Sequence, residues 1–261
     1  MAVLNPSPSA PLPKTMWLVA KAFSRANDWQ AAVPSTLHTP QDGGHVKAAS
    51  AALKQLGWEE LDARGMARVS SAYPLFMAWL RAAVSDPRRE EAQDFRDGIE
   101  WLMRQSPLVS LSRNNYESLG GANAFVNNER WNIFRFWAVD LGFAQPSSAS
   151  AQSDEGGITA NPVRVIVEAT RSWEPFRSAV PIRTYLDRLR ESVPLLPSHD
   201  QAVALDPMGE AVSWAILGAH YRGWIELSSH ADARQAFLTN HEPGAGHQSV
   251  SHVVTRSRGD E

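Results

Sequence analysis

Three stretches of this chain bring together residue types that carry out chemistry in other proteins. Ser198-His199-Asp200 sets a hydroxyl, an imidazole and a carboxylate in a row, the groups of a nucleophilic triad. Triad members converge on a substrate from distant parts of a fold, whereas sequence neighbours seldom do. After Pro197 the favoured reading is therefore a turn. His241, His247 and His252 could form a metal-binding tract. Their Gly-rich and Ser-rich surroundings favour an unstructured tail instead. Glu90-Glu91 beside Arg88-Arg89 reads as a solvated helix face. The chain contains no glycine-rich phosphate loop, no HExxH, no nucleophile elbow and no EF-hand loop. It has no cysteine, which excludes disulfides, thiolate catalysis and cysteine-ligated zinc. The expectation is a protein that is not an enzyme and has no cofactor or metal.

Binding surfaces are better represented. Lys47, Ser50 and Lys54 are spaced 3 and 4 apart and share one helix face, with Arg64 and Arg68 expected on a flanking wing. Such a face could enter a major groove while the wing holds phosphate. The alternative is an ordinary solvated helix face, and it is the favoured one. Asn128, Asn132 and Arg135 share a face of a second, otherwise apolar helix. Asn and Arg read base edges, but in so apolar a helix an internal hydrogen-bond network is favoured.

These residues sit on elements that recur. A helix-like run ending in glycine and an aromatic occurs three times, as Ala51-Ala-Leu-Lys-Gln-Leu-Gly-Trp58, Phe136-Trp-Ala-Val-Asp-Leu-Gly-Phe143 and Leu217-Gly-Ala-His-Tyr-Arg-Gly-Trp224. The glycines at 57, 142 and 223 are spaced by 85 and 81 residues. A steady period reports repeated structural units, here the size of a winged helix. In the first unit Val46, Ala49, Leu53 and Leu56 form a buried stripe, and Gly57 suits a left-handed helix cap. Two strands around Asp62-Ala-Arg-Gly65 are expected to follow as a hairpin. Helices are predicted over 15–25, 45–56, 73–84, 86–104, 127–141, 162–171, 182–191 and 209–221. The helix over 127–141 is apolar nearly all round and hence buried. Wing strands are expected at 143–145 and 158–160, joined by a mobile tip, and at 224–227 and 234–239.

The predicted fold class is mainly α with small β-hairpins (α+β): three tandem winged helix-turn-helix units packed as a compact array. The expected division is a disordered arm over 1–11, units over 12–73, 74–160 and 161–239, and a disordered tail over 240–261. Ten tryptophans and nine phenylalanines are enough to join small units face to face. The formal net charge is −3, from 25 basic and 28 acidic side chains, so the chain as a whole lacks a basic footprint. Residues 1–73 carry a small local surplus, seven Lys/Arg against five Asp/Glu. Four prolines and no basic n-region in Met1 to Pro13 predict no signal peptide. No apolar run approaches ~18 residues, so no membrane span and a cytoplasmic location are expected.

The stretch from Asn127 to Ala144, Asn-Asn-Glu-Arg-Trp-Asn-Ile-Phe-Arg-Phe-Trp-Ala-Val-Asp-Leu-Gly-Phe-Ala, resembles the DpdG family. Further likenesses occur in the same order. They are Met1-Ala-Val-Leu-Asn5 with Pro11-Leu-Pro13, Ala160-Asn-Pro-Val-Arg-Val-Ile166, Tyr185 to Leu196, and Trp224 to Ala233. After Leu196 the chain departs from the family, with Pro-Ser-His-Asp in place of a glycine turn. The resemblance implies an accessory protein of bacterial gene clusters that place 7-deazaguanine derivatives in DNA and restrict unmodified DNA. It implies no catalytic role and no active site to carry over.

Three functions are compatible with these residues. The first is an accessory or adaptor protein of a DNA-modification or anti-phage defence complex, with other proteins of that system and double-stranded DNA as partners. The second is a winged-helix transcription regulator using Lys47, Ser50, Lys54, Arg64 and Arg68. The third is an enzyme whose site is assembled from distant residues.

Overall fold

A helix apolar on nearly every side has nowhere stable to lie except inside, and the helix over residues 128–141 does lie there. The computed structural model describes residues 3–5, 10–24, 43–147, 156–173, 178–197, 209–240 and 246–255. The expected turn at Ser198-His199-Asp200, His241 and most of the tip over 147–157 lie outside the described residues. The chain is mixed α+β and divides into two compact units, one of residues 1–98 and 113–141, the other of residues 99–112 and 142–261. No helix among the described residues is long and apolar enough to cross a membrane.

The first unit is helical. Helix α1 (Pro13–Phe23) opens on a proline, whose missing N–H costs nothing at a first turn. It buries Met16, Val19 and Ala20. Helix α2 (Gly43–Gln55) buries the expected Val46, Ala49 and Leu53, with Leu56 just beyond it. Gly57 follows with φ +85°, the left-handed cap expected of it, and donates its N–H to the Lys54 carbonyl at 3.1 Å.

The hairpin expected next is absent. A single 3-10 turn (Trp58–Glu60) leads into helix α3 (Ala63–Ser70). The residues read as a tight turn are that helix's first turn: the Asp62 carboxylate accepts the Gly65 N–H at 2.6 Å. An aspartate N-cap before Ala, Arg, Met, Ala and Arg, good helix formers, outweighs the glycine as a turn signal. The first of the three expected wings is therefore a helix.

Helix α4 (Tyr73–Ser85) matches expectation, but the next helix starts late, at Gln93 rather than Asp86. Asp86 is extended, as a residue before proline prefers. Its carboxylate accepts both the Arg88 N–H at 3.0 Å and the Arg88 guanidinium, which holds residues 86–89 in a turn. Arg96 Nη1 then donates to the carbonyls of Val84, Asp86 and Arg89, at 3.1, 3.0 and 3.0 Å, gathering the loose end of α4. Helix α5 (Gln93–Met103) runs on past Gly98, the last residue of this part of the unit.

Helix α6 (Asn128–Leu141) is the core of the first unit. Trp131, Phe134, Trp137, Ala138 and Leu141 have no exposed surface, although Phe136 is half exposed. Its rings meet Phe95, Tyr116 and Phe125, with Tyr116 stacked on Trp131 at 5.1 Å. Gly98 makes room: a Cβ there would come within 2.7 Å of the Phe134 ring. The N-terminal segment, expected as a loose arm, is packed where it is described. Val3 and Leu4 are buried, and their N–H groups reach the Glu91 carbonyl (2.7 Å) and the Asp94 carboxylate (3.1 Å). Trp137 Nε1 donates to the Pro11 carbonyl at 2.8 Å. Two apolar residues with satisfied backbone donors are enough to seat a segment that its prolines made look mobile.

In the second unit, strands β1 (Ala144–Pro146) and β2 (Ile158–Ala160) form the expected antiparallel hairpin after Gly142, itself at φ +87°. Leu111 adds a bridge to Ile158. Helix α7 (Val163–Ser172), strand β3 (Val180–Pro181) and helices α8 (Ile182–Ser192) and α9 (Glu210–Tyr221) follow. Gly223, at φ +73°, closes α9 with both bonds of a Schellman cap, Gly223 N–H to His220 and Trp224 N–H to Ala219.

Strands β4 (Ile225–Ser228) and β5 (Ala236–Thr239) exist as expected but do not pair with each other. β4 pairs with β7 (His252–Thr255), β5 pairs with β6 (His247–Val250), and the three-stranded sheet has the order β3-β7-β4. Both partner strands lie in the expected disordered tail. Its average composition concealed the run Val250 to Thr255, in which Val250, Val253, Val254 and Thr255 suit a half-buried strand.

Candidate nucleic-acid and partner interface

Lys47 and Lys54 are exposed and Ser50 half-buried on one face of α2, as the spacing requires. Lys54 pairs with Glu59 at 3.4 Å, which offsets part of the positive charge of that face. Arg64 and Arg68 are exposed on α3, one turn apart. They are helix residues and no wing carries them.

Asn128, Asn132 and Arg135 are all half-buried on α6. Arg135 lies over the Phe136 ring at 5.0 Å, and Asn128 Oδ1 is buried. Neither side chain stands out from the helix as base reading demands. Helix α9 is more deeply sunk: Ala211, Val212, Ser213, Ala215, Ile216, Leu217 and Ala219 are buried, and Tyr221 alone in the helix is exposed.

Charged groups gather at the α2–α4 end of the first unit. The Arg88 hydrogen bonds beside Asp86 hold its carboxyl down at about 2. Arg89 bonds Glu60 and lowers its pKa in turn. Asp94 goes the other way. Burial pushes its carboxyl up, although it accepts N–H groups from Leu4 and Phe95 and lies 3.7 Å from Arg130. In the second unit burial raises the Tyr185 hydroxyl to about 12, beside Thr170 Oγ1 at 3.0 Å.

One group of cations, Arg171 and Arg222 exposed and Arg188 half-buried, was not anticipated. Arg171 and Arg222 each lie 5.4 Å from the Trp224 ring centre, and Arg188 lies 4.8 Å from that of Trp173. The legible signal was the phrase Arg-x-Trp occurring twice, at Arg171-Ser-Trp173 and Arg222-Gly-Trp224. Where the sequence favours an unstructured tail over a metal-binding tract, His252 meets His230 edge-on at 4.9 Å and His247 lies on β6.

A family model described as DpdG-like matches residues 1–233. This chain belongs to the DpdG-like family. The match covers everything from the N-terminal segment through β4 and stops before β5, so strands β5, β6 and β7 lie beyond it. No curated protein and no solved structure matches the chain.

Proposed function

We propose that this protein is a non-catalytic adaptor of a bacterial DNA-modification or anti-phage defence system of the kind its family serves. It docks partner proteins of that system and brings them to double-stranded DNA. Membership of the DpdG-like family supports the place. The manner rests on one observation, the burial of α6 and α9.

The elements α7, β3, α8, α9, β4 and β7, with sheet order β3-β7-β4, follow the succession of a winged helix, the β5–β6 hairpin being an insertion in its wing. A winged helix that reads sequence lays the helix before its hairpin in the major groove, with long polar side chains facing out. In α9 most of those positions are buried or apolar, and in α6 Asn128, Asn132 and Arg135 are half-buried. Such modules have their remaining faces free for protein docking, and a net charge of −3 suits that use.

Affinity capture of the full chain from its native host, under nuclease treatment, tests this reading. The expected result is recurrent recovery of proteins encoded beside it in a DNA-modification cluster. A chain recovered alone, while the purified protein binds one duplex tightly and sequence-specifically, would replace the adaptor with a transcription regulator. The face carrying exposed Lys47 and Lys54 with half-buried Ser50 is the observation that favours that second reading.

A further inference from the structure

Three arginines of the second unit are held against tryptophan rings. Arg171, in the last turn of α7, and Arg222, just after α9, are exposed and share the half-buried Trp224. Arg188, on α8, lies over Trp173, whose indole is fixed by a 2.8 Å hydrogen bond from Nε1 to Ser192 Oγ. We propose that this arginine–tryptophan cluster is a contact surface for the phosphate backbone of double-stranded DNA. It deepens the adaptor reading, on which its biological sense rests, by naming the surface that meets DNA.

A cation–π contact helps order an exposed guanidinium, and a guanidinium grips a phosphate through two parallel bonds. Part of the rotamer entropy that a flexible arginine loses on binding is lost beforehand, so more of the contact energy appears as affinity. Two cations drawn to one indole also repel each other, and a polyanion relieves that repulsion. Glu226, two residues beyond Trp224, and Asp187, beside Arg188, temper the local field and keep the number of phosphates engaged small.

Duplex is favoured over single-stranded DNA because both rings are already faced by arginine. Single-strand binders stack bases on open aromatic faces, and here the aromatics serve the cations. What remains is backbone contact, and duplex offers the denser phosphate array, about one charge per 1.7 Å of axis.

Anisotropy titrations of a fluorescein-labelled duplex with the full chain, at stepped salt concentrations, test the proposal. Each phosphate contact contributes about −0.9 to the slope of log K against log salt. The Arg171→Gln/Arg222→Gln double variant is expected to lose about two contacts' worth of that slope with unchanged thermal melting. A Lys47→Gln/Lys54→Gln variant is expected to keep it. The assignment is overturned if the arginine variant keeps the full slope, or if the lysine variant alone abolishes it. Polyglutamate binding as tightly as duplex would reassign the surface to an acidic protein. Failure of the full chain to bind duplex at low salt would overturn the DNA contact and leave the docking reading standing on its captured partners.

Discussion

The guanidinium of Arg89 lies directly over Gly57, the left-handed residue that ends α2. A Cβ built on Gly57 would overlap Nη2 and stand 2.9 Å from Cζ of Arg89. Arg89 is held there by its hydrogen bond to Glu60 and by an ion pair with Asp86 at 3.9 Å. The second junction repeats the arrangement, since a Cβ on Gly142 would come within 2.6 Å of Arg164 Nε. Backbone conformation requires glycine at both places, and a side chain there would also displace the cation packed on it.

Gly57→Ala should therefore destabilise the fold by about 1–2 kcal/mol, the φ penalty plus displacement of Arg89. In an Arg89→Ala background the same substitution should cost less, because only the φ penalty remains. Urea denaturation of the four proteins of the cycle measures this coupling. Equal costs in both backgrounds would show that Arg89 does not bear on the cap.

Trp137→Ala should cost about 3–5 kcal/mol, since the indole is fully buried among Phe95 and its neighbours. Trp137→Phe keeps a ring but leaves the Pro11 carbonyl without its donor, and about 1–3 kcal/mol is expected from that loss. Melting of Trp137→Ala near the parent temperature would refute the placement of α6 at the centre of the first unit.

The pH dependence of stability should carry opposite contributions from two aspartates. Asp94 has a raised pKa in the folded protein, so the native state holds its proton longer than the unfolded chain. Its contribution to stability therefore falls as pH rises from the ordinary value of 3.8 through the raised native value. Asp94→Asn, whose one carbonyl oxygen can keep only one of the Leu4 and Phe95 N–H bonds, lowers stability throughout but should remove that fall. Asp86, held at about 2, adds stability above its ordinary 3.8 that is lost as pH drops toward 2. Denaturant midpoints of the parent and Asp94→Asn across acidic pH separate the two windows. An unchanged slope above 3.8 in the variant would disprove the assignment to Asp94.

How much was legible in the residues follows from the range of the forces involved. Helix periodicity and the three cap glycines are local matters: 3.6-residue spacing places Val46, Ala49 and Leu53 together in any context, and a left-handed cap needs little beyond its own helix. Hence α2, α4, α6, α7, α8 and α9 were foreseen closely, as was left-handed Gly57. The family was legible too, because its likenesses run in order along the chain.

Strand pairing and surface placement are not local. A strand's partner is chosen by which edge its buried residues can cover, so β4 and β5 were visible as strands while β7 and β6, their partners, were not. Asp62 capping α3 defeated the first hairpin, and three arginines far apart in sequence found two tryptophans only through packing. The sequence by itself determined most of the helices, the glycine caps and the family. Tertiary structure alone decided which faces stayed in water, because burial depends on everything a residue meets and periodicity records only the side it turns inward.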